Sequence, residues 1–274
     1  MNTKSNMELI SDSSPRRGFL NFLAKENGSW WKTKHWWVQM LIWVAIINGM
    51  IAMVLVSISN EPQVAAPSPS STPIHVLLYS LFSGMAPVIG MIIIAQDALV
   101  EEKQTGTAAW ILSKPVSRVS FFLSKLIANG LGGLVTMVLI PGAVAYVEFY
   151  FASKVWSSPI AFLEVIGIIF LNLVFYLSLT LMLGAFFQSR GGVIAIPMFV
   201  LFGAQLLGSV KPLLYVMPWL LLWPLPFKST EQISIAGAIL TGNPVPTYWP
   251  IVTTAIFSVI FIVLGIWRFD KQEF

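Results

Sequence analysis

Six stretches of about 20 mostly apolar residues, at 36–58, 76–96, 124–147, 163–187, 191–208 and 249–267, leave this chain little choice but a bundle of membrane-spanning helices. Hydrocarbon offers backbone amides no partner, so each crossing segment must close its own hydrogen bonds, as a helix does. Only 10% of the residues are charged, against about a quarter in a soluble domain. A chain so poor in charge cannot cover a water-exposed exterior, which excludes a soluble enzyme. There is no Cys, and the two His, His35 and His75, stand far apart. Thiolate chemistry and a Cys-based metal site are excluded, and no metal or catalytic constellation is expected. The expected fold is all-α and polytopic.

The placing of Lys and Arg orients the spans, because cytoplasmic loops carry the excess. Thirteen of the sixteen fall before the first stretch, between the second and third, in the turn after the fourth, or after the last; only Lys154, Lys211 and Lys228 fall on the other side. The expected topology has six spans in a bacterial or archaeal plasma membrane with both termini cytoplasmic. It divides the chain into a tail over 1–27, one transmembrane domain over 28–268 and a short tail over 269–274. The net charge of +4 follows from this asymmetry, so nucleic acid is not an expected partner.

The fourth and fifth stretches are separated only by the tight polar turn Gln188-Ser189-Arg190, with Gly191-Gly192 expected to permit the reversal. Three further segments refine that topology. Residues 212–227 are apolar but carry Pro212, Pro218, Pro224 and Pro226, and a seventh span there would turn Arg268 and Lys271 outward. We expect a re-entrant hairpin in the outer leaflet, with Trp219 and Trp223 at the interface. Trp30, Trp31, Trp36 and Trp37, interleaved with Lys32, Lys34 and His35, read as an N-terminal elbow lying in the inner interface, rings at headgroup depth. Arg16-Arg17 before Gly18-Phe19-Leu20 has the look of a twin-arginine signal, but Asn21, Lys25, Glu26 and Asn27 interrupt the apolar run such a signal needs.

The most distinctive connection is 97–125, DALVEEKQTGTAAWILSKPVSRVSFFLSK. The second span is expected to continue through Asp97, Glu101 and Glu102 until Gly106 closes it in a left-handed conformation, with Thr107 capping a new short helix over Ala108–Ser113. Lys114 precedes Pro115, which ends that helix, and Ser117-Arg118 open the third span. A short semi-apolar helix bearing Trp110, Ile111 and Leu112, acids on one flank and bases on the other, suits docking on a protein or on the membrane surface.

Glu102, Gly106-Thr107, Leu112-Ser113, Pro115-Val116-Ser117-Arg118 and Lys125 resemble, in order and spacing, the cytoplasmic stretch of ABC-2-type transporter permeases. The end Arg268-Phe269-Asp270-Lys271-Gln272-Glu273-Phe274 resembles that family's short charged tail, and the nearest likeness is to the NosY-like branch. Ser124 stands where the family often has Gly. The resemblance implies that the 97–118 region forms a coupling helix resting in a groove of a separate nucleotide-binding ATPase subunit. Glu101, Glu102, Gly106, Thr107, Trp110, Leu112, Ser113, Pro115, Ser117, Arg118 and Lys125 would build or position that contact, and Arg190 would belong to a second, smaller one. It further implies a second permease copy as partner and export as the direction. No G-x-x-x-x-G-K-[ST] loop occurs in the chain, so this subunit is expected to bind no cofactor, ATP and Mg being held by the partner ATPase.

Inside the spans the polar groups are uncharged. Asn48, Asn129, Asn172 and Gln205 either line a substrate path or bond helix to helix, and Met50 and Met53 read as packing. The lack of midplane charge weighs against the alternative class, an ion-coupled secondary transporter or channel without an ATPase. Glu101-Glu102 resembles the Glu-Glu-x-x-x-Arg signature of glutamic intramembrane proteases, but position 106 is Gly, so no covalent chemistry is expected.

Overall fold

The computed structural model describes residues 18–60, 73–113, 116–207, 210–223 and 234–272, which contain helices and no strand. Helix α1 (Phe19–Trp31) turns sharply into α2 (His35–Asn60). Helix α3 (Ile74–Gln104) leads into the short α4 (Thr107–Leu112). Next, α5 (Arg118–Gly133), a π-helical turn (Leu134–Leu139) and α6 (Ile140–Ser153) join end to end. Helices α7 (Pro159–Phe186) and α8 (Arg190–Leu207) precede three short helices, α9 (Lys211–Val216), α10 (Trp219–Leu222) and α11 (Ile235–Thr241). Helix α12 (Trp249–Asp270) closes the bundle.

Among the described residues, five segments are long and apolar enough to cross a membrane: α2, α3, the α5–α6 rod, α7 and α12. They correspond to five of the six expected stretches. The stretch expected at 191–208 forms α8, whose 18 residues reach about 27 Å, close to the hydrocarbon thickness of about 30 Å. Helix α7 is apolar on every face and accordingly sits at the centre, packed against α3, α12, α5, α8 and α11. Helices α2 and α12 lie at the periphery, with Leu41, Met53, Val252, Ile256 and Val263 exposed.

Proline shapes the α5–α6 rod. Pro141 has no N–H to give, and just before it the ladder widens to the π register, with Ile140 N–H donating to the Val135 carbonyl five residues back. Pro87 and Pro197 lie inside continuous helices.

Two expectations need correction, the reversal at Gly191-Gly192 and the interfacial place of Trp219 and Trp223. The reversal between α7 and α8 is made by residues 187–189; Gly191 and Gly192 are helical and have no positive φ. The apolar stretch at 212–227 forms no long helix over its described part but breaks between α9 and α10 at Met217-Pro218. Trp219 and Trp223 are buried in protein rather than at a surface, and Trp219 Nε1 donates to the Val200 carbonyl at 2.7 Å. Pro224 to Ile233 lie outside the described residues, as do Ser14 to Arg17. Helix α1 begins at Phe19, inside the segment read as a tail, and packs along α5.

Candidate functional site

Helix α3 has 31 residues and a length of about 46 Å, several turns more than a crossing requires. Its last turns carry Asp97, Glu101, Glu102 and Lys103, and it stops at Thr105-Gly106. Gly106 has φ +73° and no atom near the place of a Cβ, so its role is conformational. The carbonyl of Gly106 accepts from Trp110 N–H at 3.0 Å, which makes Gly106 the cap of α4. Thr107 is therefore the first residue of that helix rather than its cap, and its Oγ1 pairs with Thr105 Oγ1 at 2.9 Å. Ala108 is buried, Ile111 packs against the core, and Trp110 is 64% exposed. Ser113 Oγ donates to the Trp110 carbonyl at 2.8 Å. Ser117 caps α5, its Oγ accepting from Ser120 N–H at 3.4 Å. The side chain of Leu112 and the whole of Pro115 lie outside the described residues.

Beneath α4, three elements converge on Lys125 of α5. Its side chain is 3% exposed; Nζ donates to Glu26 Oε1 of α1 at 3.1 Å and lies 3.0 Å from Glu102 Oε2 of α3. Lys25 joins from the rim, 3.2 Å from Glu102 Oε1. Paired carboxylates are what allow an ammonium to sit so deep. The Lys125 ammonium is thus held by carboxylates from two neighbouring helices rather than extended into solvent. Glu26, Trp30, His35, Glu101, Thr107 and Lys125 are among the residues lining an adjoining cleft of about 560 Å³. Sequence spacing contained no hint of Lys25 or Glu26, because their partners are far along the chain.

The same end of α3 grips the α7–α8 turn. Arg190 Nη2 lies 3.2 Å from Asp97 Oδ1 and 3.8 Å from Glu101 Oε2. Gln104 Nε2 donates to the Gln188 carbonyl at 2.9 Å. Lys103 Nζ donates to the carbonyls of Gly184 at 2.8 Å and Phe187 at 2.9 Å, at the end of α7. On α5, Arg118 Nη1 donates to the carbonyls of Asp270 at 2.6 Å and Gln272 at 2.5 Å, at the end of α12. The structure therefore brings Glu101, Glu102, Lys125 and Arg190 together around the end of α3. Arg118 of α5 is instead bonded to the end of α12, and Trp110 and Ser113 lie on the surface.

The Trp cluster divides. Trp31 and Trp37 are exposed, but Trp30 is buried, its ring against Gly132 where a Cβ would collide with it. Trp30 Nε1 donates to Asn129 Oδ1 at 3.0 Å, and Asn129 Nδ2 donates to the Lys125 carbonyl. Asn48 Nδ2 donates to the Pro141 carbonyl and to Glu148 Oε2, both at 3.0 Å. Asn172 Nδ2 donates to the Gly84 carbonyl at 3.2 Å. All three asparagines bond helix to helix, and Asn129 also lines the cleft. The side chain of Gln205 lies outside the described residues.

The chain belongs to the family described as protein of unknown function (DUF2705), which matches residues 41–274. No curated protein matches it.

Proposed function

We propose that this chain is the membrane-spanning permease subunit of an ATP-binding cassette exporter, coupled through α4 to a separate ATPase subunit. The observation that carries this reading is α4 itself: a one-and-a-half-turn helix set by Gly106 at the tip of an overlong helix, Ala108 tucked in and Trp110 64% exposed. Its support is stiff, because Lys125, Arg190 and their carboxylates brace the end of α3. Such an element can turn an external push into a helix displacement. The motif resemblance over 102–125 gives the pusher its chemistry. The partner holds ATP and Mg, and hydrolysis changes the spacing of two ATPase subunits; the docked α4 converts that motion into rearrangement of two permease copies, whose interface forms the substrate path.

In this reading α2, α3, the α5–α6 rod, α7, α8 and α12 are the six spans. Helices α9 and α10 form the re-entrant segment, α1 is the inner elbow, and both termini are cytoplasmic in a bacterial or archaeal plasma membrane. The test is co-purification in mild detergent with mass identification of every stoichiometric partner. A bound subunit with a phosphate-binding loop and ATPase activity, released by Trp110→Ala, is the expected result. A stable chain without such a partner would move the assignment to an ion-coupled transporter or channel.

A further inference from the structure

The chain enters α4 just after Lys103-Gln104 and leaves it just before Arg118, and both flanks are hooked onto other helices by the same chemistry. The last carbonyls of a helix have no donor within it, and a cation there is favoured by the helix dipole. Lys103 Nζ supplies that donor to Gly184 and Phe187 at the end of α7. Arg118 Nη1 supplies it to Asp270 and Gln272 at the end of α12. The two ends are then joined to each other, because Gln272 Nε2 donates to the Ala185 carbonyl. Ring stacking closes the remaining gap: Phe269 of α12, fully buried, lies parallel to Phe121 of α5 with centroids 5.4 Å apart. Helices α7 and α12 themselves pack along their length. A closed loop of contacts results, running α3, α7, α12, α5 and directly back to α3, with α4 packed on the end of α3.

We infer that Lys103 and Arg118 are positioning residues that tie the two flanks of α4 to the ends of α7 and α12, so that displacement of α4 is carried into those two packed helices. Arg118 acts through α12 rather than by pairing with a partner subunit. The use of the tie in transport rests on the permease reading; the tie itself is a property of this chain alone.

The experiment therefore has two arms. In the first, hydrogen exchange is read by peptide mass on the full chain in detergent. Lys103→Met should raise exchange about fivefold in the last turn of α7 and in α4 together, leaving α6 unchanged. Lys103→Arg should restore both. Arg118→Met should loosen α4 together with the end of α12. Loosening of α7 or α12 while α4 keeps its original exchange would overturn the inference, as would unchanged exchange at all three places. Should Lys103→Met fail to fold, Gln104→Leu, which removes the bond to the Gln188 carbonyl, is the milder variant and should loosen α4 and residues 184–188 together. In the second arm, nitroxides on Ser113→Cys and Leu163→Cys report the complex with its ATPase. Lys103→Met should keep ATP hydrolysis within about twofold of the parent yet abolish the ATP-driven change in their separation, and a persisting change would overturn transmission. Absence of any ATPase from the parent preparation would sink the permease reading instead, and the exchange arm alone would then decide the tie.

Discussion

Lys125 Nζ lies 3.0 Å from Glu102 Oε2 with the lysine side chain 3% exposed, so a full charge is held inside the bundle by a carboxylate from a neighbouring helix. Glu26 of α1 supplies the second carboxylate. Removing Lys125 leaves the two half-buried carboxylates only Lys25, at the exposed rim, as counter-charge. Lys125→Met should therefore destabilise the folded chain by about 3 kcal/mol, and adding Glu102→Gln in the same chain should recover part of the loss. Thermal melting in one detergent checks both, and a single substitution that leaves the melting temperature unchanged would show that the ammonium is not buried.

Trp30 makes a second, uncharged tie between α1 and α5. Trp30→Phe keeps most of the ring against Gly132 but leaves Asn129 Oδ1 without its donor, at a cost of about 1–2 kcal/mol. Gly132→Val should cost more, because the added atoms enter the space of the indole and push α1 off α5. Combining Trp30→Phe with Asn129→Leu should cost less than the sum of the two single changes, since both remove the same bond. Melting of the four-member set measures the difference.

The backbone layout was far more legible in the sequence than the charge pairing. Apolar run lengths located the long helices, and Gly106 and Ser117 marked the boundaries around α4, because a positive φ and an N-cap are local demands on residue type. Local signals failed where a side chain answers a distant group. Lys103 and Arg118 bond to backbone carbonyls, which any residue type presents, so no partner residue betrays them. Lys25 and Glu26 looked like part of a solvated tail until α1 was seen lying along α5. Trp30 looked like its interfacial neighbours; the Gly-rich stretch Gly130-Leu131-Gly132-Gly133 was the available sign that a large ring approaches α5 there. The glycines at 191 and 192 misled in the opposite direction, since a helix N-terminus tolerates them and the reversal needed only residues 187–189.

Gly106 offers a test of backbone conformation free of packing effects, because nothing lies within 4 Å of the Cβ it lacks. Gly106→Val places a β-branched residue at φ +73° and should cost about 1–2 kcal/mol locally. Gly106→Asn, which tolerates the left-handed region, should cost clearly less. Limited proteolysis and hydrogen exchange across Thr105–Ser113 should rank the variants Gly, Asn, Val in order of increasing exposure. An Asn variant as labile as the Val variant would mean that the left-handed turn is not what holds α4.

Topology gives the last prediction, and the natural lack of Cys makes it direct. Single cysteines are introduced at four exposed positions: Ser113 after α4, Ser189 in the α7–α8 turn, Lys154 after α6 and Asn243 between α11 and α12. With both termini cytoplasmic and α9–α10 re-entrant, a membrane-impermeant thiol reagent applied to intact cells should modify Lys154→Cys and Asn243→Cys. Ser113→Cys and Ser189→Cys should react only after permeabilisation, in keeping with the excess of Lys and Arg on their side. Reaction of Ser113→Cys from outside would invert the orientation and remove α4 from reach of any cytoplasmic ATPase. Protection of Asn243→Cys alone would show either that α8 does not cross or that the chain crosses once more between α8 and α12. Either arrangement would carry Arg268 and Lys271 to the outer side, and the six-span arrangement would fall.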